Sequence, residues 1–231
     1  MRETISELRF RCQKPGEWQR LNKYYKMYRL VSIYFTRLFL YTPVTANQVS
    51  FLNILLVFFS GIFLIQGTVS GSLIGVGLLF LVAILDRVDG EIARYRGTMS
   101  AKGEYIDQVM HLLFKIVFFS CIAIPLYRST GQEIYLLAGF IAVSFSLANT
   151  ITGSVASGLR KAQTNSFDNT KKTSNMLSKI SKLISLPQAF MKEIFVLFII
   201  LSMNNWFILL YAAYLPLFWI AFTIASSRTL H

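Results

Sequence analysis

Residues 71–94 read GSLIGVGLLFLVAILDRVDGEIAR, and this run decides the fold. Its first fifteen residues, 71–85, carry no charge; the next nine carry five, Asp86, Arg87, Asp89, Glu91 and Arg94. An uncharged apolar run approaching the roughly 20 residues needed to cross a bilayer reads as a transmembrane helix. Charge crowded at the end of such a helix is costly and points to function. Working outward, comparable apolar stretches occupy about 48–66, 104–126, 133–157, 188–203 and 205–226. We therefore expect an all-α polytopic membrane protein. It would have six transmembrane helices in a membrane domain of 48–228, after a basic segment of 1–47.

The composition agrees. The chain of 231 residues is 54% hydrophobic and only 15% charged, where a soluble domain has about 25% charged residues. Its net charge is nevertheless +12, from 23 Lys+Arg against 11 Asp+Glu. Nucleic-acid binding would account for the charge but not for the apolar bulk, so a nucleic-acid partner is not expected. Two cysteines, Cys12 and Cys121, cannot form a disulfide framework and are expected to be reduced.

Charge placement tests the count. Residues 1–47 hold nine Lys/Arg, the segment after the second stretch holds Arg94, Arg96 and Lys102, and the segment after the fourth holds Arg160, Lys161, Lys171, Lys172, Lys179 and Lys182. The intervening loops hold one, Arg128. An even number of spans with both termini in the cytoplasm satisfies the positive-inside rule. Residues 18–40 mix aromatic and basic side chains and read as an interfacial helix on an anionic leaflet, with membrane lipids as partners. Residues 159–186 read as a polar cytoplasmic linker, with an amphipathic stretch at 176–184. Pro187 is placed to start the fifth helix. Pro125 and Pro216 are placed to end or kink theirs.

The ionisable residues gather in one place. On a helix of 3.6 residues per turn, Asp86, Asp89, Gly90, Ala93 and Gly97 share a face. Gly103, Asp107, His111 and Lys115 form a similar stripe on the next helix, and the short loop between makes the two helices antiparallel neighbours. Carboxylates packed together in low dielectric need a positive partner. Hard oxygen ligands favour Mg²⁺, with Mn²⁺ as the second choice. Gly90, Ala93 and Gly103 remove side-chain bulk and allow close approach to backbone. Arg94 stands at the rim, suited to a phosphate oxygen. The residues alone thus point to a metal-dependent site for a diphosphate at the cytoplasmic edge of the bilayer.

The run from Asp86 through Asp89, Gly90, Ala93 and Arg94, then after eight residues Gly103, Asp107 and, three residues on, His111, resembles the signature of the CDP-alcohol phosphotransferase family. That signature is D-x2-D-G-x2-A-R-x8-G-x3-D-x3-D, and seven of its eight fixed positions match. Residues 42–50, TPVTANQVS, are similar to the family's T-P-N-x-V-T entry to its first span, with the proline displaced. The departure is His111, which stands where the family has its fourth Asp.

The resemblance implies a transferase in phospholipid biosynthesis. A CDP-alcohol donor binds through its diphosphate, an acceptor hydroxyl attacks the phosphate, and CMP leaves. It implies Asp86, Asp89 and Asp107 as metal ligands, and Gly90, Ala93, Arg94 and Gly103 around the nucleotide. It implies His111 as the base, with a second metal ion in doubt because an oxygen ligand is lost there. It also implies a homodimer. Imidazole, with an unperturbed pKa near 6.5, can serve as a base near neutral pH. CDP-diacylglycerol is the favoured donor, with a CDP-linked small alcohol passed to a lipid or polyol as the alternative. A proton-coupled transporter and an inactive relative are the other readings. Asn47, Lys115, Asn149 and Arg160 are candidate substrate residues. For Lys115 a role as counter-ion to Asp107 or His111 competes with this, and for Arg160 a role as a positive-inside anchor.

Overall fold

A computed structural model of the protein describes residues 4–13, 23–164 and 190–227. The described residues form helices without strands: α1 (Ile5–Cys12), α2 (Lys23–Leu40), α3 (Ala46–Leu64), α4 (Val69–Arg96), α5 (Ala101–Thr130), α6 (Ile134–Thr164), α7 (Met191–Ile200) and α8 (Asn204–Ser227). Five of them, α3, α4, α5, α6 and α8, are long and apolar enough to cross a membrane. The protein is an all-α integral membrane protein. The chain divides into two compact units. The first comprises Met1–Phe63 and Ile74–Phe114, the second Leu64–Leu73 and Lys115–His231.

Helix boundaries differ from the sequence expectation where local chemistry extends or stops them. α4 runs on to Arg96, so Arg94 and Arg96 lie in its last turn rather than in a loop. It stops at Gly97, whose φ of 66° lets the Thr98 amide reach the Ala93 carbonyl and the Gly97 amide the Arg94 carbonyl. This is the paired ending that a left-handed residue after a helix permits. Neither Pro125 nor Pro216 ends its helix; transmembrane helices tolerate proline where neighbours satisfy the freed carbonyl. α6 reaches Thr164, well into the expected linker, because Leu, Arg, Lys, Ala and Gln are good helix formers.

The fifth expected span is represented by α7, ten residues long, about 15 Å against a hydrocarbon core of about 30 Å. Ser202, at φ 55°, closes it with the Met203 amide bonded to the Phe198 carbonyl. Five helices, not six, therefore reach spanning length among the described residues. Trp18, Pro187 and the 176–184 stretch lie outside the described residues.

In the first unit, α1 is an element the hydropathy pattern does not announce. Thr4 starts it with a capping box: the Glu7 amide donates to the Thr4 hydroxyl at 3.3 Å and the Thr4 amide to the Glu7 carboxylate at 2.7 Å. Those Thr4 donors hold the exposed Glu7 carboxyl below its usual range. Leu8 and Cys12 of α1, Ile33 and Leu40 of α2, Val49 of α3 and Leu85, Val88 and Ile92 of α4 make one buried cluster. The α4 members fall at helical spacing on one face.

α2 is two-sided. Ser32, Ile33, Thr36 and Leu40 are buried, while Met27, Val31, Tyr34 and Leu38 form an exposed apolar stripe on the other side. Such a stripe suits an interfacial helix. In the second unit, Phe118, Phe195 and Phe207 meet edge to face at 5.4 and 6.0 Å between centroids, geometry that aromatic quadrupoles favour. Gly139 lets α6 approach α5 so closely that an added Cβ would lie 2.4 Å from the Ala123 Cβ.

Candidate active site

The site is built on the last turns of α4 and the first turns of α5. Asp86 is the first charge after the apolar run of α4, and Asp107 and His111 lie one turn apart on α5. The His111 Nε2 is 3.4 Å from Asp86 Oδ1 and 3.6 Å from Asp107 Oδ1. One ligand atom from each of the three residues falls within 4.8 Å of the others. Arg87 sits beside Asp86 at 3.5 Å, bonds the Ala83 carbonyl and lies over the Tyr28 ring at 4.8 Å.

Asp86 Oδ1 is buried and accepts no hydrogen bond among the described residues. A buried carboxylate oxygen without a donor is costly. The Asp86 and Asp107 carboxylates converging there offer hard oxygen ligands that a divalent cation satisfies, with the His111 imidazole beside them. The residues fit a metal ion.

Asp89 falls outside that 4.8 Å grouping. Its carboxylate accepts the Ser50 hydroxyl at 2.6 Å and the Gly90 amide at 2.6 Å. Ser50 belongs to α3, so this bond ties the residue 42–50 stretch to the Asp89 face of α4. Arg96 grips the same stretch, donating to the Val44 carbonyl at 2.7 Å and the Thr42 carbonyl at 2.8 Å. The two glycines have different neighbours. A Cβ at Gly90 would lie 3.3 Å from the Arg94 Nη1, and one at Gly103 would lie 3.3 Å from the Asn47 Oδ1. Gly90 thus makes room for the Arg94 guanidinium, and Gly103 for the Asn47 side chain. Arg94 itself donates through Nε to the Cys12 carbonyl at the end of α1. Ala93 is half-buried on the same face of α4.

Sequence reasoning missed the role of Glu91. This carboxylate is 1% exposed and accepts hydrogen bonds from Gln13, Ser32 and Thr36. The hydroxyls of Ser32 and Thr36 at i, i+4 on an aromatic-rich helix were a signal that α2 has a polar buried face. The Thr4-x-x-Glu7 box was a signal for α1.

Lys115, Asn149 and Arg160 belong to the second unit. Lys115 donates to the Thr150 hydroxyl, which in turn donates to the Ser146 carbonyl at 3.0 Å. Asn149 is 6% exposed, and neither its amide nitrogen nor its oxygen has a hydrogen-bond partner among the described residues. Both residues line a groove of about 370 Å³ whose other walls include Thr150, Ser154, Phe218 and Phe222. Arg160 lies on α6, and its side chain is outside the described residues.

The family profile described as CDP-alcohol phosphatidyltransferase matches residues 43–225, from the entry to α3 almost to the end of α8. The chain belongs to the CDP-alcohol phosphatidyltransferase family. No curated protein matches it. Members of the CDP-alcohol phosphatidyltransferase family transfer a phosphoalcohol from a CDP-alcohol to an acceptor alcohol within the membrane, and the family uses divalent metal ions. The match starts after α1 and α2.

Proposed function

We propose that the protein transfers a substituted phosphate from CDP-diacylglycerol to the hydroxyl of a small polar alcohol, releasing CMP. The observation that carries this reading is the convergence of Asp86, Asp107 and His111 around a carboxylate oxygen without a hydrogen-bond donor among the described residues. Asp86, Asp89 and Asp107 would hold Mg²⁺ or Mn²⁺. A bound cation supplies neutralisation of charge on the donor's diphosphate. Gly90, Ala93 and Gly103 leave space for the nucleotide, and Arg94 directs guanidinium N–H groups at a phosphate oxygen. His111 takes the acceptor's hydroxyl proton at Nε2. Asp86 and Asp107, both within 3.6 Å of that nitrogen, stabilise the imidazolium that results.

The choice of CDP-diacylglycerol with a small polar acceptor follows the family resemblance, in which that arrangement is common among small members. The basic segments of residues 1–47 and 159–186 support an orientation with both termini in the cytoplasm.

Purified protein in detergent should release CMP from CDP-diacylglycerol when a panel of small alcohols and Mg²⁺ are supplied. Release with CDP-linked small alcohols and a lipid acceptor instead would reverse the donor assignment. Release with neither, alongside metal-independent transport, would remove the enzyme reading.

A further inference from the structure

Glu91 follows Gly90 directly, yet its carboxylate faces away from the candidate metal trio, about 140° around the α4 axis from Asp86. Gln13 Nε2 donates to it at 2.7 Å, Ser32 Oγ at 2.7 Å and Thr36 Oγ1 at 2.5 Å. Gln13 Nε2 also donates to the Arg29 carbonyl at 2.9 Å, so one side chain binds the end of α1 to both α2 and α4. All three donors are buried. A carboxylate satisfied in this way has no need of a metal ion. Its effect is to fix where the end of α1 lies on α4.

The residue before Gln13 makes use of that placement. The Cys12 carbonyl accepts from Arg94 Nε, and Arg94 is one helical turn beyond Glu91. The Nη1 and Nη2 groups of Arg94 then lie over Gly90, 3.3 and 3.5 Å from where a Cβ would stand. Gly90 is on the Asp86 face of α4. The segment grips the guanidinium from one side and leaves its Nη groups on the other.

We propose that Glu91 is a positioning residue that makes residues 4–13 part of the donor site. Docked by Glu91, the Cys12 carbonyl orients Arg94 so that its Nη groups meet the donor's diphosphate. This rests on the reading of Arg94 as a diphosphate-binding residue. Docking of the segment and binding of the diphosphate then strengthen each other by the same factor, as linkage requires.

Cys12 is 0% exposed and reports docking directly. In the full chain with Cys121→Ser, the rate of Cys12 alkylation by a maleimide and the affinity for CDP, the group common to all such donors, would be measured with Mg²⁺ present. Glu91→Ala and Gln13→Leu should each speed alkylation about tenfold and weaken CDP binding, by no more than the factor by which docking is weakened. Glu91→Asp should recover part of both. CDP should slow Cys12 alkylation in the parent but not in Arg94→Ala, a coupling that simple destabilisation would not produce. Should Glu91→Ala fail to fold, Gln13→Leu, which alters nothing on α4, carries the test. Faster alkylation with unchanged CDP affinity, or CDP binding that leaves alkylation unaltered, would overturn the inference alone. A parent that binds no CDP would overturn the functional reading together with it.

Discussion

Asp86 and Glu91 are carboxylates five residues apart on one helix, and they have opposite fates. Glu91 is nearly inaccessible and receives three hydrogen bonds from α1 and α2. Asp86 presents an oxygen that has no hydrogen-bond donor among the described residues, and a second carboxylate and an imidazole face it. The difference is one of supply. Where the fold provides enough donors, a buried carboxylate becomes a structural tie. Where it provides acceptors instead, the arrangement is stable only with something positive added. Asp89 falls between the two, with a hydroxyl and an amide as donors.

The comparison can be broken most forcefully at Asp86. Asp86→Asn should lower CMP release at least about 10³-fold, as loss of a charge-stabilising group does, while leaving the melting temperature unchanged or raised. A large fall in melting temperature would place Asp86 among the structural ties. Next, His111→Ala should reduce turnover about 10²-fold with CDP binding largely retained, and near-normal turnover would remove the base assignment. Glu91→Ala should show the reverse balance. It would leave three donors unmet and cost about 2 kcal/mol of stability, read as a lower denaturation midpoint, with metal affinity preserved. Ser50→Ala should cost about 1 kcal/mol, the worth of one hydrogen bond, and shift the metal dependence of turnover slightly because Asp89 loses its partner. Thr4→Ala, the smallest, should cost about 0.5–1 kcal/mol of α1 stability. It is read as a modest rise in Cys12 alkylation with no change in turnover at saturating donor.

Much of this was legible beforehand, for identifiable reasons. A run such as 71–85 announces a membrane helix because hydrocarbon penalises charge and unsatisfied backbone wherever the helix packs. The trio Asp86, Asp107 and His111 was legible because helical spacing and a short loop leave few ways to arrange two antiparallel neighbours. α7 was less legible, since its length depends on the left-handed turn at Ser202, which a serine does not advertise. Lys115 was harder still. Its spacing puts it in stripe with His111, yet its hydrogen-bond partner is Thr150, thirty-five residues away on α6.

The sequence by itself determined the membrane class and the family, because each rests on local spacing or on transfer cost. Only the tertiary structure decided which acid on α4 serves which purpose. Asp86, Asp89 and Glu91 lie within six residues and are chemically alike. Their difference comes from donors supplied by segments distant in the chain: Ser50 for Asp89, and Gln13, Ser32 and Thr36 for Glu91. A carboxylate's role follows from who hydrogen-bonds to it, and the partners of these three are brought together by the packing of α1, α2 and α3 on α4.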